Sequence, residues 1–302
     1  MFPVKKTGVA GSIIQLGKRW SVVFTVCFVG SGHAAAAETS GKHFLWRVTN
    51  APAPFYLLGS LHALRSSDYP LPVEIEQAIN NSRQVIFETN PDARDTPLIE
   101  RKLRKVGYYP NGVTIERKIS AKTFAYLKKI AEVRLTDYET RKPWAIAFFM
   151  VQNPSLRNFS SRLSVDRYVY DKARRRAEIG GLETTDEFVN AFANMSDSES
   201  EAFLLDVLSY ARRSPQLLIE TNALWKSGDA ERLYWLYASR GLATSPGYWR
   251  WVERRQLLWI PRIEAALKSG KSTTVVVGAL HLCGPHSVLA MLKARGYKIE
   301  QL

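Results

Sequence analysis

Phe55-Tyr56-Leu57-Leu58-Gly59-Ser60-Leu61-His62 is an apolar stretch that ends in a glycine and, three residues later, a histidine. The chain repeats this pattern near its C-terminus, in Thr274-Val275-Val276-Val277-Gly278-Ala279-Leu280-His281. Short apolar runs that are rich in aromatic or β-branched residues and bounded by turn residues are typical of buried strands. Each copy therefore predicts a strand that leads into a Gly-x-x-His turn, where the glycine provides backbone freedom that a side chain would restrict.

A third apolar run, Gln84-Val85-Ile86-Phe87-Glu88, ends in a carboxylate. We expect the three runs to form strands of one sheet that point in the same direction. His62, Glu88 and His281 would then meet at the carboxyl edge of that sheet, which is where open α/β sheets place their ligands.

Strand patterns occur at both ends of the chain, and helical patterns fill its centre. Residues 44–48 precede a proline-rich turn and predict a β-hairpin with the strand before His62, while residues 297–302 predict a last strand. Residues 180–184 predict a turn or a short strand between helices, and residues 247–267 predict one long helix. We therefore predict a single α/β (α+β) domain over residues 38–302. Its central mixed sheet is built from strands at both ends of the chain, with a large helical insertion in the middle.

The first 37 residues predict a secretory signal peptide. Four positive residues and no acid precede Glu38, residues 20–30 are apolar, and the alanines at 34–37 provide an Ala-x-Ala cleavage site. A membrane anchor is the rival interpretation, but the apolar run is about half of the roughly 20 residues that a spanning helix needs. Cleavage before Glu38 would make the mature protein periplasmic or secreted, and no later stretch predicts a transmembrane segment.

The chain is basic, with a formal charge of +14, and loss of the four positive charges before Glu38 would leave +10. This charge favours anionic partners such as envelope lipid headgroups or an acidic polysaccharide. Nucleic acid is not an expected partner, because the sequence contains no nucleic-acid-binding module. Cys283 would be the sole cysteine after cleavage, so no internal disulfide is expected. No signature of a cysteine nucleophile surrounds it, which favours a buried, inert thiol.

Two imidazoles and a carboxylate form a donor set suited to a hydrolytic metal site. The sequence lacks the nucleophile elbow of serine hydrolases, the phosphate loop, the dinucleotide fingerprint and His-Glu-x-x-His. We therefore predict that His62, Glu88 and His281 bind a divalent ion, Mn, Co or Zn, which would generate hydroxide from bound water near neutral pH. A hydrogen-bonded structural role is the alternative for either histidine, and it is the favoured role for His43 and His286.

Trp251, Arg255 and Trp259 are spaced four residues apart and would share one face of a helix. One interpretation is that the tryptophans pack in the core and the Arg255 stem covers them. The other is that Arg255 reaches the candidate site, where its guanidinium would hold a carboxylate or stabilise an oxyanion.

A series of short motifs follows in order along the chain. Besides the two Gly-x-x-His units and the strand that ends at Glu88, they are Leu45-Trp46-Arg47-Val48, Lys142-Pro143-Trp144, Val165-Asp166, Gly181-Leu182-Glu183-Thr184 and Arg255-Gln256-Leu257-Leu258-Trp259. In this order the motifs resemble the TraB/GumN family, which is grouped with Tiki-type metalloproteases and erythromycin-esterase-like proteins. The resemblance extends over nearly all of residues 44–302.

The resemblance implies a catalytic group of His62, Glu88, His281 and Arg255. Asp166, Glu183 and Gln256 are candidates for hydrogen bonds that hold this group in position. Two positions depart from the family pattern: Gln256 stands where an asparagine is usual, and Leu280 stands where a glycine is more frequent. The Tiki relatives imply divalent-metal-dependent cleavage of peptides, and part of the family name refers to a polysaccharide gene cluster.

Two functions from different classes follow from these observations. The first is an exported metal-dependent hydrolase, a peptidase that acts on a peptide or protein substrate. The second is a non-catalytic accessory or binding protein of the cell envelope that is linked to polysaccharide export. The basic charge and the aromatic-basic stretch Tyr248-Trp249-Arg250-Trp251 favour the second function.

Overall fold

A mixed sheet organises the chain in the computed structural model, which describes residues 41–62, 64–92, 96–131, 138–151, 163–211, 214–241 and 245–302. Among these residues the sheet has six strands in the order β4-β3-β5-β2-β1-β6. The strands are β1 (Leu45–Val48), β2 (Phe55–Ser60), β3 (Gln84–Thr89), β4 (Glu178–Glu183), β5 (Thr273–Gly278) and β6 (Ile299–Gln301).

The four strands on one side of the sheet are parallel, which aligns their carboxyl ends. β5 pairs in parallel with both β2 and β3, and its register places Gly278 opposite Ser60 and Val276 opposite Phe87. β3 also pairs in parallel with β4, while β1 pairs antiparallel with β2 and with β6. The two Gly-x-x-His strands are thus direct neighbours, and the predicted hairpin of β1 and β2 is present.

The mixed α/β fold class is confirmed, but one strand of the sheet comes from the middle of the chain. β4 contains residues 180–183 of the segment that predicted a turn or a short strand, and it forms the edge of the sheet beside β3. Gly181 allows this close pairing, because a Cβ at this position would lie 2.4 Å from the backbone nitrogen of Asn90. The helical insertion is therefore divided in two by a strand.

The helices cover the sheet and also form a region of their own. They are α1 (Val73–Asn81), α2 (Thr96–Gly107), α3 (Ala121–Ala131), α4 (Pro143–Val151), α5 (Val165–Ala173), α6 (Thr185–Ala193), α7 (Asp197–Ala211), α8 (Ser214–Lys226), α9 (Ala230–Ala238), α10 (Pro246–Tyr248), α11 (Arg254–Lys268) and α12 (Val288–Lys293). A π-helix, Trp249–Glu253, joins α10 to α11, where the sequence predicted one long helix over residues 247–267 with a kink at Pro261.

Two separate hydrophobic cores stabilise the described residues. The first surrounds the sheet, where β2 and β5 are largely apolar because they are interior strands whose two faces are both buried. The second lies between helices and is rich in aromatic rings: Phe192 packs against Trp144, Phe148 and Phe203. Burial of each such side chain contributes roughly 1.5–3 kcal/mol before entropy is counted.

In the part of the chain that the structure describes, no helix combines the length and the apolar character needed to cross a bilayer. The predicted signal peptide, residues 1–37, lies outside the described residues.

Candidate functional site

His62 lies just beyond the carboxyl end of β2, and an acid on α5 orients its ring. The side chain is 71% exposed, and its Nδ1 lies 3.1 Å from Oδ2 of Asp166. Ser60 Oγ donates to the other Asp166 oxygen at 3.0 Å. Because a carboxylate only accepts hydrogen bonds, Nδ1 of His62 carries the hydrogen in this contact.

Glu88 lies near the end of β3, and each of its carboxylate oxygens accepts a hydrogen bond. Gly278 donates its backbone N–H to Oε1 at 2.7 Å, and a terminal nitrogen of Arg255 donates to Oε2 at 2.7 Å. Burial by itself would raise the pKa of Glu88, but the guanidinium of Arg255, with His281 and the Gly278 N–H, holds that pKa well below its usual range. Glu88 is therefore an anion at neutral pH.

Arg255 is 1% exposed and is held by a second carboxylate. Its Nε lies 3.1 Å from both oxygens of Glu183, and a terminal nitrogen also bonds Glu183. The guanidinium lies over the rings of Trp259 and Phe188, at 4.7 and 5.3 Å from their centroids. Arg255 thus packs on Trp259, as the first interpretation of its role expected, and also reaches a carboxylate of the candidate site, as the second expected.

Glu183 lies at the end of β4 and is almost completely buried. Burial raises its pKa, an effect that Arg255 and the hydrogen bond from Trp259 Nε1 oppose. One guanidinium therefore faces two carboxylates, and the cluster carries an excess negative charge when both acids are ionised. Such a charge favours the approach of a cation.

The π-helix before α11 determines which residues of that helix face the site. A π turn contains an additional residue relative to an α turn, and one residue corresponds to a rotation of about 100° around the axis. After this segment, Arg255 and Gln256 are both buried toward the ends of the strands. Trp251 lies within the π-helix and packs against Phe192, so it belongs to the second core, whereas Trp259 packs against His281.

His281 lies in the short 3-10 turn after β5 and is 4% exposed. Its ring centroid is 4.5 Å from that of Trp259, its Nδ1 is 3.4 Å from Nε2 of Gln256, and its Nε2 is 3.6 Å from Oε1 of Glu88. Burial, which the charge of Arg255 reinforces, lowers the pKa of His281 to about 3 despite the Glu88 carboxylate. The imidazole is therefore neutral near pH 7 and keeps a lone pair.

The three predicted ligands surround the α-carbon of Gly278. A methyl group built there would lie 3.3 Å from Oε1 of Glu88, 3.6 Å from Cδ2 of His281 and 3.9 Å from Nε2 of His62. The strand ends of β2, β3 and β5 thus bring two imidazoles and one carboxylate to the same point. Glycine leaves this point open, and any side chain would fill it.

The donor types fit a borderline divalent ion such as Mn²⁺, Co²⁺ or Zn²⁺. His281 is neutral, Glu88 is anionic and His62 has its Nδ1 turned to Asp166, so the group offers two imidazoles and one carboxylate as donor types. As placed, no three His, Cys, Asp or Glu side chains of the described residues are arranged to hold an ion. Coordination would therefore need side-chain rotation, which the exposure of His62 permits.

The other histidines and Cys283 lie outside this group. His43 Nε2 is 3.0 Å from a Glu74 oxygen, which is a structural contact, and His286 is exposed. Burial raises the pKa of the Cys283 thiol far above its usual range, and its Sγ bonds the carbonyl of Ala279. This cysteine therefore provides no thiolate.

Sequence reasoning missed three contributions to the site: the Gly278 N–H, the hydroxyl of Ser60 and the ring of Phe188. The position of Ser60 at a strand end, directly before a Gly-x-x-His histidine, was a signal that could have drawn attention to it. Phe188 reaches Arg255 through the packing of α6, for which no local pattern exists.

The TraB/PrgY/gumN family model matches residues 44–301 of the chain. The relatives include the uncharacterized protein YbaP of Escherichia coli strain K12, which is 22% identical over 272 residues that cover 85% of this chain and 96% of that protein. YbaP of Shigella flexneri is 21% identical with the same coverage. No solved structure matches the chain. The chain belongs to the TraB/PrgY/gumN family.

Proposed function

We propose that this member of the TraB/PrgY/gumN family is an exported metal-dependent hydrolase that cleaves peptide bonds. The observation that carries the proposal is the meeting of His62, Glu88 and His281 around the open α-carbon of Gly278. Two further features support it: residues 1–37 have the pattern of a signal peptide, and the motif order resembles the TraB/GumN family, which is grouped with Tiki-type metalloproteases.

In this proposal, Nε2 of His62, Nε2 of His281 and the Glu88 carboxylate would hold the ion. A bound Mn²⁺, Co²⁺ or Zn²⁺ would supply a water of lowered pKa and a Lewis acid for the scissile carbonyl. Asp166 keeps the Nε2 lone pair of His62 directed away from α5, because it occupies Nδ1.

Glu88 is suited to act as the anionic ligand of the group. The Gly278 N–H and Arg255 fix both of its oxygens and keep its pKa well below its usual range, so it stays ionised and is a weak acceptor for the proton of an attacking water. Arg255 positions Glu88 and does not meet the substrate in this proposal, since its bonds go to Glu183, Glu88 and the carbonyl of Trp251. The oxyanion role suggested by the sequence is therefore not part of the proposal.

A peptide-library digest tests this function. The protein is treated with chelator, supplied with Mn²⁺, Co²⁺ or Zn²⁺ in turn, and compared with Glu88→Ala and with Glu74→Ala as a control at a surface carboxylate. We expect ion-dependent cleavage by the wild type and by Glu74→Ala, and none by Glu88→Ala. Absence of cleavage with every ion, or full cleavage by Glu88→Ala, would refute the proposal.

The second candidate is a non-catalytic envelope protein that serves polysaccharide export. The observation that favours it is the closed ion network: Arg255 and the Gly278 N–H already satisfy both oxygens of Glu88. A binding protein with a structural Arg255 cluster would have the same contacts. Purified protein without a stoichiometric divalent ion, together with envelope function that survives a His62→Ala, His281→Ala double substitution, would select this candidate.

A further inference from the structure

We propose that the carboxamide of Gln256 is a two-position switch that sets which ring nitrogen of His281 carries the hydrogen. The inference rests on the proposed function only for its consequence, the readiness of His281 to bind an ion. The contact itself is independent of any metal. It assigns Gln256 as a positioning residue.

Among the described residues, the carboxamide of Gln256 has one hydrogen-bond partner. The side chain is 1% exposed, and its Nε2 lies 3.4 Å from Nδ1 of His281. Its Oε1 is buried and has no hydrogen-bond partner. A buried carbonyl oxygen without a donor is unfavourable, so the orientation shown does not satisfy the whole carboxamide.

In the arrangement described, the Gln256 amide donates to the Nδ1 lone pair. The hydrogen of the neutral imidazole must then be on Nε2, which points toward Oε1 of Glu88 at 3.6 Å. With a hydrogen there, Nε2 has no lone pair for an ion. This is the resting tautomer.

A half-turn of the carboxamide about its last bond gives the second arrangement in the same volume. Oε1 then faces the ring and accepts from Nδ1–H, so the lone pair moves to Nε2 on the side of Glu88 and His62. The Trp259 ring packs against the imidazole, with centroids 4.5 Å apart and planes tilted by 48°, and this contact restrains the imidazole while the amide turns. The amide thus changes the state of His281 without moving the ring.

The two histidines of the site differ in this respect. His62 has a carboxylate at Nδ1, which accepts only and therefore fixes one tautomer. His281 has an amide, which is able to donate or to accept. The Gln256 contact therefore makes His281 the adjustable member of the pair.

Long-range ¹H–¹⁵N NMR of the full chain distinguishes the two tautomers, because a protonated and an unprotonated ring nitrogen differ strongly in chemical shift. The His281 signals are assigned by their loss in His281→Asn. Gln256→Met keeps the volume and removes both donor and acceptor, and Gln256→Glu keeps only an acceptor. Gln301→Met is the matched control, since Gln301 donates to the carbonyls of His43 and Gly228 and not to His281.

We expect the Nε2–H tautomer in the ion-free wild type and in Gln301→Met, a mixture in Gln256→Met, and Nδ1–H in Gln256→Glu. Added Zn²⁺ should convert the wild type to Nδ1–H, and the Zn²⁺ affinity of Gln256→Met should be about 10–100-fold weaker. Identical His281 spectra in the ion-free wild type and both Gln256 variants would overturn the inference. Failure of all variants to bind Zn²⁺ would instead remove the proposed metal site, while the ion-free spectra would still decide the role of Gln256.

Discussion

Replacement of Arg255 by methionine tests the buried charge cluster most directly. The substitution keeps an unbranched apolar stem over Trp259 and removes the guanidinium that faces Glu88 and Glu183. Loss of one partner of a buried ion pair costs about 3–5 kcal/mol, because the remaining charge is left without compensation. For a domain of this size, each kcal/mol lowers Tm by about 2–4 °C, so we expect a decrease of about 6–20 °C.

The structure also predicts which carboxylate bears this cost. Without Arg255, Glu88 keeps the Gly278 N–H and has 18% side-chain exposure, whereas Glu183 is 1% exposed and keeps only the Trp259 N–H. Neutralising Glu183 should therefore restore more stability than neutralising Glu88. The double variant Arg255→Met, Glu183→Gln should recover at least about 1 kcal/mol relative to Arg255→Met alone.

Reversible urea unfolding followed by circular dichroism at neutral pH measures these differences. Arg262→Met is the control on the same helix: its ion pair with Glu187 is between side chains that are 41% and 32% exposed, so the expected cost is below about 1 kcal/mol. The reasoning fails if Arg255→Met costs no more than this control, or if Glu183→Gln makes the variant less stable.

Three further outcomes are expected. Mn²⁺, Co²⁺ or Zn²⁺ at 100 times Kd should stabilise the wild type by about 2.7 kcal/mol and Glu88→Gln much less, and equal shifts in thermal scans would remove Glu88 from the site. Gly278→Ala should leave the urea midpoint nearly unchanged, since a φ of −53° suits alanine. It should reduce ion-dependent hydrolysis at least about tenfold, because the new Cβ would lie 3.3 Å from Glu88 Oε1, and an active variant would contradict this. The Arg262 guanidinium and the Thr184 N–H hold the pKa of Glu187 in the folded protein at about 2. The Glu187 carboxylate therefore stabilises the fold fully at pH values above its unfolded pKa of about 4.3, and this stabilisation is lost as the pH falls through about 2. The difference in unfolding free energy between wild type and Glu187→Gln should therefore be constant near neutral pH and shrink in acid, and a difference independent of pH would rule out this origin.

Local pattern was sufficient to predict the framework of the sheet. The strands before His62 and His281 are apolar runs bounded by turn residues, and such runs are legible without a structure because buried parallel strands expose neither face. The expectation that Glu88 would join them follows from a general rule of parallel sheets, whose carboxyl ends share one edge. The residue identities at three strand ends were therefore enough to name the residues that the fold brings together.

Long-range packing decided the rest, because it depends on how far each element is rotated and buried. The π-helix at Trp249–Glu253 turns Arg255 toward Glu88 and Gln256 toward His281, and no residue spacing in the sequence marks an additional residue in a turn. The recruitment of β4 to the sheet edge brings Glu183 to Arg255. The sequence alone identifies Arg255, Gln256 and Glu183 as candidates for the site. Only their burial, which removes water and leaves each charge dependent on its neighbours, determines which carboxylate is ionised and which imidazole is neutral.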